Sequence, residues 1–350
     1  MKSSAQHILV LGMGGTIAGF APDSANPTVY QAGQIPIESL LNGIPMDSPV
    51  DGVEIQSRQI ANIDSRDLSE ELLTQLGRAV KEALHDPAVL GVVVTHGTDT
   101  LEETGIFLDA VCSKAAQNLG KRVVLTGAML PSNAIGADGP LNLQAALHWV
   151  KNDISNCPAG IFAIFAGRVC LARDLAKRHT TDLNAPLRDS SSSPIHLINP
   201  SWLSTIRAIQ AESGPDLPIP PGNQWPWVEI LMSHAGAKPQ TIEQLASQEI
   251  HGLVIAGTGA GGIHDAWQAP LHSLEKKGIA IVRASRTGAG SVSSNEPCNS
   301  LTGVSAGHLS APKARIALQL ALYAAAHSIE SAKSLGWKHF FARIVVLPIH

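Results

Sequence analysis

Apolar residues in this chain fall into short unbroken runs separated by longer stretches with helical spacing. Runs near 8–11, 53–56, 90–95, 122–127 and 160–166 have strand length. Ile8-Leu9-Val10-Leu11 is apolar at every position, as a strand buried on both faces must be. Between these runs the spacing predicts helices at 67–85, 101–119 and 140–153, with a short one at 36–42. Strands that alternate with helices in this way specify a mostly parallel sheet with helices on both faces. The segment from Pro22 to Asp51 is richer in Pro, Gly and Asn and has the character of a loop able to fold over a site as a lid.

The pattern breaks between Arg188 and Gln224, where Ser190-Ser191-Ser192-Ser193-Pro194 is followed by Pro215, Pro218, Pro220 and Pro221-Gly222. That is linker composition. A second unit then follows, with strands near 228–232, 252–256 and 279–283 and helices near 240–248, 264–277 and 311–328. The expected fold class is α/β: a large doubly wound, mostly parallel sheet domain at 1–189, a linker at 190–227 and a smaller α/β domain at 228–335. The tail at 336–350 is apolar and strand-like, and an exposed tail of that kind would invite aggregation.

Composition narrows the classes. The 350 residues are too many for one small core, and 44% hydrophobic with 15% charged residues is globular rather than disordered. A net charge of −4 gives no electrostatic footprint for nucleic acid. Cys112, Cys157, Cys170 and Cys298 show no Cys-x-x-Cys pairing and read as buried thiols of a reducing compartment. The first strand begins by Ile8, leaving no room for a secretory leader, and no apolar run is long enough to span a membrane. The expected location is cytoplasmic, with neither nucleic acid nor membrane as a partner.

Two glycine-threonine turns carry the candidate chemistry. The first strand runs into Gly12-Met13-Gly14-Gly15-Thr16-Ile17. This fails as a dinucleotide fingerprint, because Ile17 stands where the third glycine or alanine belongs, and it fails as a phosphate loop for want of Gly-Lys-Ser/Thr. Alone, Thr16 reads as a helix cap or a loop hydroxyl. The third strand, however, ends in Thr95-His96-Gly97-Thr98-Asp99-Thr100, directly before a helix that opens with Glu102 and Glu103. Capping by Thr98 or Thr100 explains one threonine and the glutamates, but not why Asp99 and His96 crowd the same strand end. Two strands that each bring a threonine to the carboxyl edge of one sheet point to a shared site.

These stretches resemble the two signatures of bacterial-type L-asparaginases and glutaminase-asparaginases. The resemblance continues through Gly127-Ala128-Met129-Leu130-Pro131-Ser132, Ala137-Asp138-Gly139-Pro140-Leu141-Asn142-Leu143, Ala172-Arg173-Asp174-Leu175-Ala176-Lys177 and Thr180-Thr181-Asp182. It resumes at Ala256-Gly257-Thr258-Gly259 and Pro312-Lys313-Ala314-Arg315, so it spans nearly the whole chain in order. It implies the two-domain α/β architecture already read from the pattern. It also implies hydrolysis of L-asparagine to L-aspartate and ammonia through a threonine nucleophile and an acyl-enzyme, with neither metal nor cofactor. No His-Glu-x-x-His spacing occurs among the histidines.

Carried over residue by residue, the resemblance makes Thr16 the nucleophile and Tyr30 the lid tyrosine that helps activate it. Thr98, Asp99 and Lys177 become a second group, in which lysine and aspartate polarise a threonine hydroxyl. Gly15 and Gly97 line the substrate, Asp99 takes its α-ammonium and Ser65 its α-carboxylate, although Ser65 reads equally as a helix cap before Leu68. Backbone N–H groups of the glycine turn would hold the oxyanion.

The chain departs from the family pattern at three places. Arg66 stands where the family has glutamine; a guanidinium cannot accept from an ammonium and would repel it, so as a substrate-binding residue it would clamp the α-carboxylate, the alternative being that it points away. Gly257-Thr258-Gly259-Ala260-Gly261-Gly262 lacks the asparagine or serine that usually reaches the substrate. Glu296 matches the glutamate donated by a neighbouring subunit only if one deletion is allowed. The 336–350 tail is also unlike the family's usual ending. Sharing a site between subunits implies a homo-oligomer, a tetramer built as a dimer of dimers. Rival readings are a glutaminase or related amide hydrolase, the amidotransferase subunit that releases ammonia for tRNA-linked amidation, and a non-catalytic amino-acid or nucleotide binder.

Overall fold

The structure, a computed structural model, describes residues 6–44, 53–151, 159–183, 214–292, 302–328 and 336–345. The chain separates into two compact units, Met1–Asp216 and Leu217–His350.

The first unit is built on a six-stranded sheet. Its strands are β1 (His7–Gly14), β2 (Glu54–Ile63), β3 (Val89–Thr95), β4 (Arg122–Thr126), β5 (Gly160–Phe165) and β6 (Arg168–Leu171), in the order β2-β1-β3-β4-β5-β6. All neighbours run parallel except β5 and β6, which form a hairpin. Every residue of β1 is buried. Because side chains alternate across a strand, Ile8 and Val10 face one layer while Leu9 and Leu11 face the other. The first layer holds α1 (Ile37–Asn42) and α4 (Gly139–Lys151), whose Ile37, Leu143, Leu147 and Trp149 share a core with Ile8, Val10, Val93 and Val124. On the other side α2 (Glu70–His85) packs against α3 (Leu101–Asn118). This is the doubly wound arrangement expected from the hydrophobic pattern.

Two features were not legible in that pattern. β2 runs on to Ile63, because its alternating half-buried residues give no apolar block after Ile55. The β5–β6 hairpin turns on Ala166-Gly167, both at positive φ (46° and 68°), as a two-residue turn with the twist of its flanking strands requires. Ala-Gly lacks the Asn-Gly or Asp-Gly signal for such a turn. What holds Ala166 in that strained conformation is a tertiary contact: its N–H donates to Asn142 Oδ1 at 2.9 Å.

The second unit has a four-stranded, all-parallel sheet in the order β10-β9-β8-β7, comprising β7 (Val228–Met232), β8 (Gly252–Gly257), β9 (Ala280–Ser285) and β10 (Val304–Ser310). α5 (Gln240–Leu245) and α6 (Asp265–Lys276) build one core on Leu253, Ile255 and Ile281, with Trp267 at its centre. α7 (Ala311–His327) packs on strands β7 to β10. β10 was not predicted; its mixed Val-Ser-Ala-Gly-His-Leu-Ser composition has no strand period.

The tail corrects an expectation. Gly336–Ile344 is a helix, α8, not a strand. Phe340, Phe341 and Ile344 lie on one helical face, are buried, and α8 packs against α7. The β-branched Ile344-Val345-Val346 run suggested a strand, but the aromatic pair one turn earlier sets the helical period. Residues 346–350 lie outside the described residues.

Candidate active site

Two positive-φ glycines, Gly14 (89°) and Gly15 (81°), turn the end of β1 into a short 3-10 segment, Thr16–Ala18. No side chain fits at Gly15, because a Cβ there would lie 2.3 Å from Gly97 Cα. A Cβ on Gly97 would in turn come 2.5 Å from Ser65 Oγ. The turns after β1 and β3 therefore meet backbone to backbone, with Ser65 closing the third side. This contact is available only because β1 and β3 are neighbours in the sheet although residues 15–88 lie between them.

Each threonine hydroxyl has its own partner. Thr16 is buried, and its Oγ1 lies 2.8 Å from the Tyr30 hydroxyl, with either oxygen able to donate. Tyr30 reaches it because the loop closes on itself: Phe20 and Gln31 exchange both main-chain hydrogen bonds at 3.0 Å. Lys177 Nζ donates to Thr98 Oγ1 at 2.9 Å and to Asp99 Oδ1 at 2.5 Å. The Lys177 side chain is 21% exposed, so it is not the solvated surface cation that an isolated lysine usually is. Beside this ion pair opens a cavity of about 550 Å³ lined by Asp99, Glu102, Lys177, Arg178, His179 and Thr180.

Lys177 is delivered by the β5–β6 hairpin. Asn142 holds the hairpin turn at Ala166 while its amide donates to Gly127 O at 3.0 Å and to Asp138 Oδ2 at 3.1 Å. After β6, Arg173 makes a buried ion pair with Asp109 of α3, Nη2 to Oδ2 at 2.6 Å and Nε to Oδ2 at 3.0 Å. Burial raises the Asp109 carboxyl against the opposing pull of Arg173, so the pair fixes position at a desolvation cost. Asn142 and Arg173 fall within the motifs quoted from the sequence but were given no role there, and Asp109 was not noted. Asp138 and Asn142, one helical turn apart beside the Gly127-Ala128-Met129 turn, were the available signal.

The capping readings do not survive. Thr100 occupies the N-cap of α3 without a side-chain cap, and its hydroxyl donates to Ser65 O at 2.8 Å. Ser65 caps nothing: Asp64 and Ser69 are the N-caps on either side of it, and Ser65 Oγ instead accepts from Asp99 N at 3.3 Å. His96 is fully buried, bonded through Nδ1 to Gly97 O at 2.7 Å and through Nε2 to the Thr104 hydroxyl at 3.0 Å. Burial pushes its imidazole down to about 4 against the raising effect of Gly97 O, so it is neutral and ties the Gly97-Thr98 turn to α3.

Other predicted site residues are engaged with partners of their own. Arg66 is 73% exposed, and its Nε lies 3.3 Å from Asp64 Oδ2 and 4.0 Å from Asp67 Oδ2 of its own turn. Gly15 N–H donates to Ile63 O at 2.8 Å, so that donor is occupied within the fold. In the second unit, Thr258 closes its own glycine turn, its hydroxyl donating to Gly262 O at 3.3 Å. Glu296, Cys157 and Cys298 lie outside the described residues. Cys112 and Cys170 are buried, and burial pushes the Cys112 thiol up to about 12, which leaves it inert. Among the described residues, no group of three or more His, Cys, Asp or Glu is placed to hold a metal ion, and no helix is long and apolar enough to cross a membrane.

Known proteins resemble this chain along most of its length. Residues 7–204 match the family model "Asparaginase, N-terminal", and residues 227–335 match "Glutaminase/Asparaginase C-terminal domain". L-asparaginase 2 of Escherichia coli (strain K12) is 32% identical over 320 residues, covering 90% of this chain and 88% of its own length. Glutaminase-asparaginase of Acinetobacter glutaminasificans is 30% identical over 323 residues, covering 90% of this chain and 95% of its own. The crystal structure of a probable cytoplasmic L-asparaginase from Campylobacter jejuni superposes with a TM-score of 0.81 at 32% identity, covering 97% of this chain and 99% of that one.

Proposed function

The chain belongs to the asparaginase family, and from that premise we propose that it hydrolyses L-asparagine to L-aspartate and ammonia. The observation that carries the reading is the pairing of two threonine hydroxyls on adjacent strand ends, Thr16 with Tyr30 at 2.8 Å and Thr98 with Lys177 at 2.9 Å. An amide hydrolase needs an activated hydroxyl, a proton donor for the leaving nitrogen and a place for the oxyanion. A binding protein has no use for two tuned hydroxyls.

In this reading Thr16 Oγ1 attacks the side-chain amide carbon, and its proton is relayed through the Tyr30 hydroxyl, which gives its own hydrogen toward the leaving nitrogen as it accepts that of Thr16. The C–N bond breaks as a proton reaches the nitrogen, and ammonia leaves an ester on Thr16. The ammonium of Lys177 donates to Thr98 Oγ1, which loosens that hydroxyl's own hydrogen and suits Thr98 to orient the water that attacks the ester. The water's oxygen becomes part of the aspartate carboxylate, and Thr16 regains its hydrogen. With Gly15 N–H bonded to Ile63 O, the main-chain N–H groups of Thr16 and Thr98 are the better oxyanion donors.

Asp99 keeps one carboxylate oxygen beyond Lys177 for the α-ammonium, and Ser65 lies on the same side for the α-carboxylate. The Arg66–Asp64 pair favours a guanidinium held away from the substrate's amino group. A tetrameric assembly that completes the site with Glu296 of a neighbouring copy, and a cytoplasmic location like that of the Campylobacter jejuni protein, complete the proposal.

The test is ammonia release from L-asparagine and L-glutamine in parallel, with Thr16→Ala as the blank. Turnover should vanish in the variant while the protein stays folded. Activity retained in Thr16→Ala overturns the nucleophile, and silence of the parent on both amides overturns the substrate class.

A further inference from the structure

The loop that carries Tyr30 is held from outside by one short segment. Asn133 makes two hydrogen bonds to a single residue at the loop's root: Ala21 N–H donates to Asn133 Oδ1 at 2.8 Å, and Asn133 Nδ2 donates to Ala21 O at 2.7 Å. A side-chain amide used in this way imitates a neighbouring strand, satisfying both main-chain groups of the residue it grips. On either side of it, Ser132 donates to Gly19 O through Oγ at 2.7 Å and through N at 3.0 Å, and Ile135 N donates to Ser24 O at 3.1 Å.

The segment that does this is itself rigid. Asp138 accepts from Met129 N and Leu130 N at 3.0–3.1 Å, and Asn142 of α4 binds Asp138 in turn. The far end of the connection is Tyr30: a Cβ on Gly19 would sit 2.8 Å from Tyr30 Cδ2, so the ring lies directly on the residue that Ser132 pins. Position passes from α4 through Asp138 and Asn133 to the root of the loop, and from there to the Tyr30 hydroxyl beside Thr16.

We propose that Asn133 is a positioning residue that sets the Tyr30 hydroxyl against Thr16 by clamping Ala21. It touches neither substrate nor reacting atoms, and its effect on turnover rests on reading Thr16 and Tyr30 as the reacting pair. Asn133→Ala should lower kcat roughly tenfold with KM little changed, the size expected when two neutral hydrogen bonds that hold one posture are removed.

The deciding measurement is a double-mutant cycle. If Asn133 acts through Tyr30, Asn133→Ala combined with Tyr30→Phe is no slower than Tyr30→Phe alone; effects that multiply, or an unchanged kcat in the single variant, overturn the proposal. A second arm uses no activity: chymotrypsin cleavage after Tyr30, read by mass, should be faster in Asn133→Ala at an unchanged melting temperature, and an unchanged cleavage rate overturns the clamp. Should Asn133→Ala not fold, Asn133→Asp, which keeps the acceptor for Ala21 N–H and loses the donor, takes its place in both arms. A parent that releases no ammonia overturns the functional reading, and the cleavage arm then decides the clamp by itself.

Discussion

At the scale of single residues, the candidate site depends on small side chains as much as on reactive ones. Gly15 and Gly97 let two turns touch, and Thr16 and Thr98 can serve one substrate only because of that contact. The threonines and Asp99 were legible because hydroxyl and charged residues stand out at strand ends, whereas Tyr30 and Lys177 came into view only through the family resemblance. The residues that fix their posture were less so: His96 stood out at its strand end without a role, and no local pattern announces the burial of Asn142 or of the Asp109–Arg173 pair. His96 gives a pH-dependent prediction. Above its ordinary 6.5 the imidazole is neutral in folded and unfolded chains alike. Between 6.5 and about 4 only the unfolded chain takes the proton, so stability falls as pH drops through that window, by about 3 kcal/mol in all. Denaturant midpoints at pH 7 and pH 4.5 should show this loss, and His96→Gln should flatten that part of the slope; an identical slope in the variant would assign the pH dependence to other groups.

At the scale of elements, long apolar or amphipathic segments declared themselves, whereas elements fixed by tertiary contact did not. β6 exists because Asn142 holds Ala166 in its turn, β10 because β9 offers an edge, and α8 because α7 offers a face. The helix α8 is accordingly part of the second unit's core and not an appendage. Phe341 is fully buried, and Phe341→Ala should cost about 3–5 kcal/mol, the usual loss for a large aromatic removed from a packed site. Ending the chain at residue 335 should lower the melting temperature further, by uncovering the face of α7. A truncated protein that melts like the parent would show α8 to be peripheral.

At the scale of the molecule, Phe20 and Val29 on the Tyr30 loop are exposed, and so is Ile135, whose N–H donates to Ser24 O of that loop. Apolar surface gathered around a candidate site is the kind that a second subunit covers. Light scattering across a dilution series should therefore report a tetramer, with activity falling where the assembly dissociates. A fully active monomer would remove any need for a neighbour's Glu296.

The sheet order has a further consequence, for the nascent chain. β1 is buried along its whole length and lies between β2 and β3, yet β3 begins only at Val89. While the ribosome makes that interval, at roughly 5–20 residues per second, one of the most adhesive segments of the protein waits for several seconds without its inner neighbour. Chaperone dependence during synthesis, and losses to inclusion bodies when translation outpaces it, should thus trace to the first fourteen residues. Soluble yield should respond to slower translation more than to any change in the second unit.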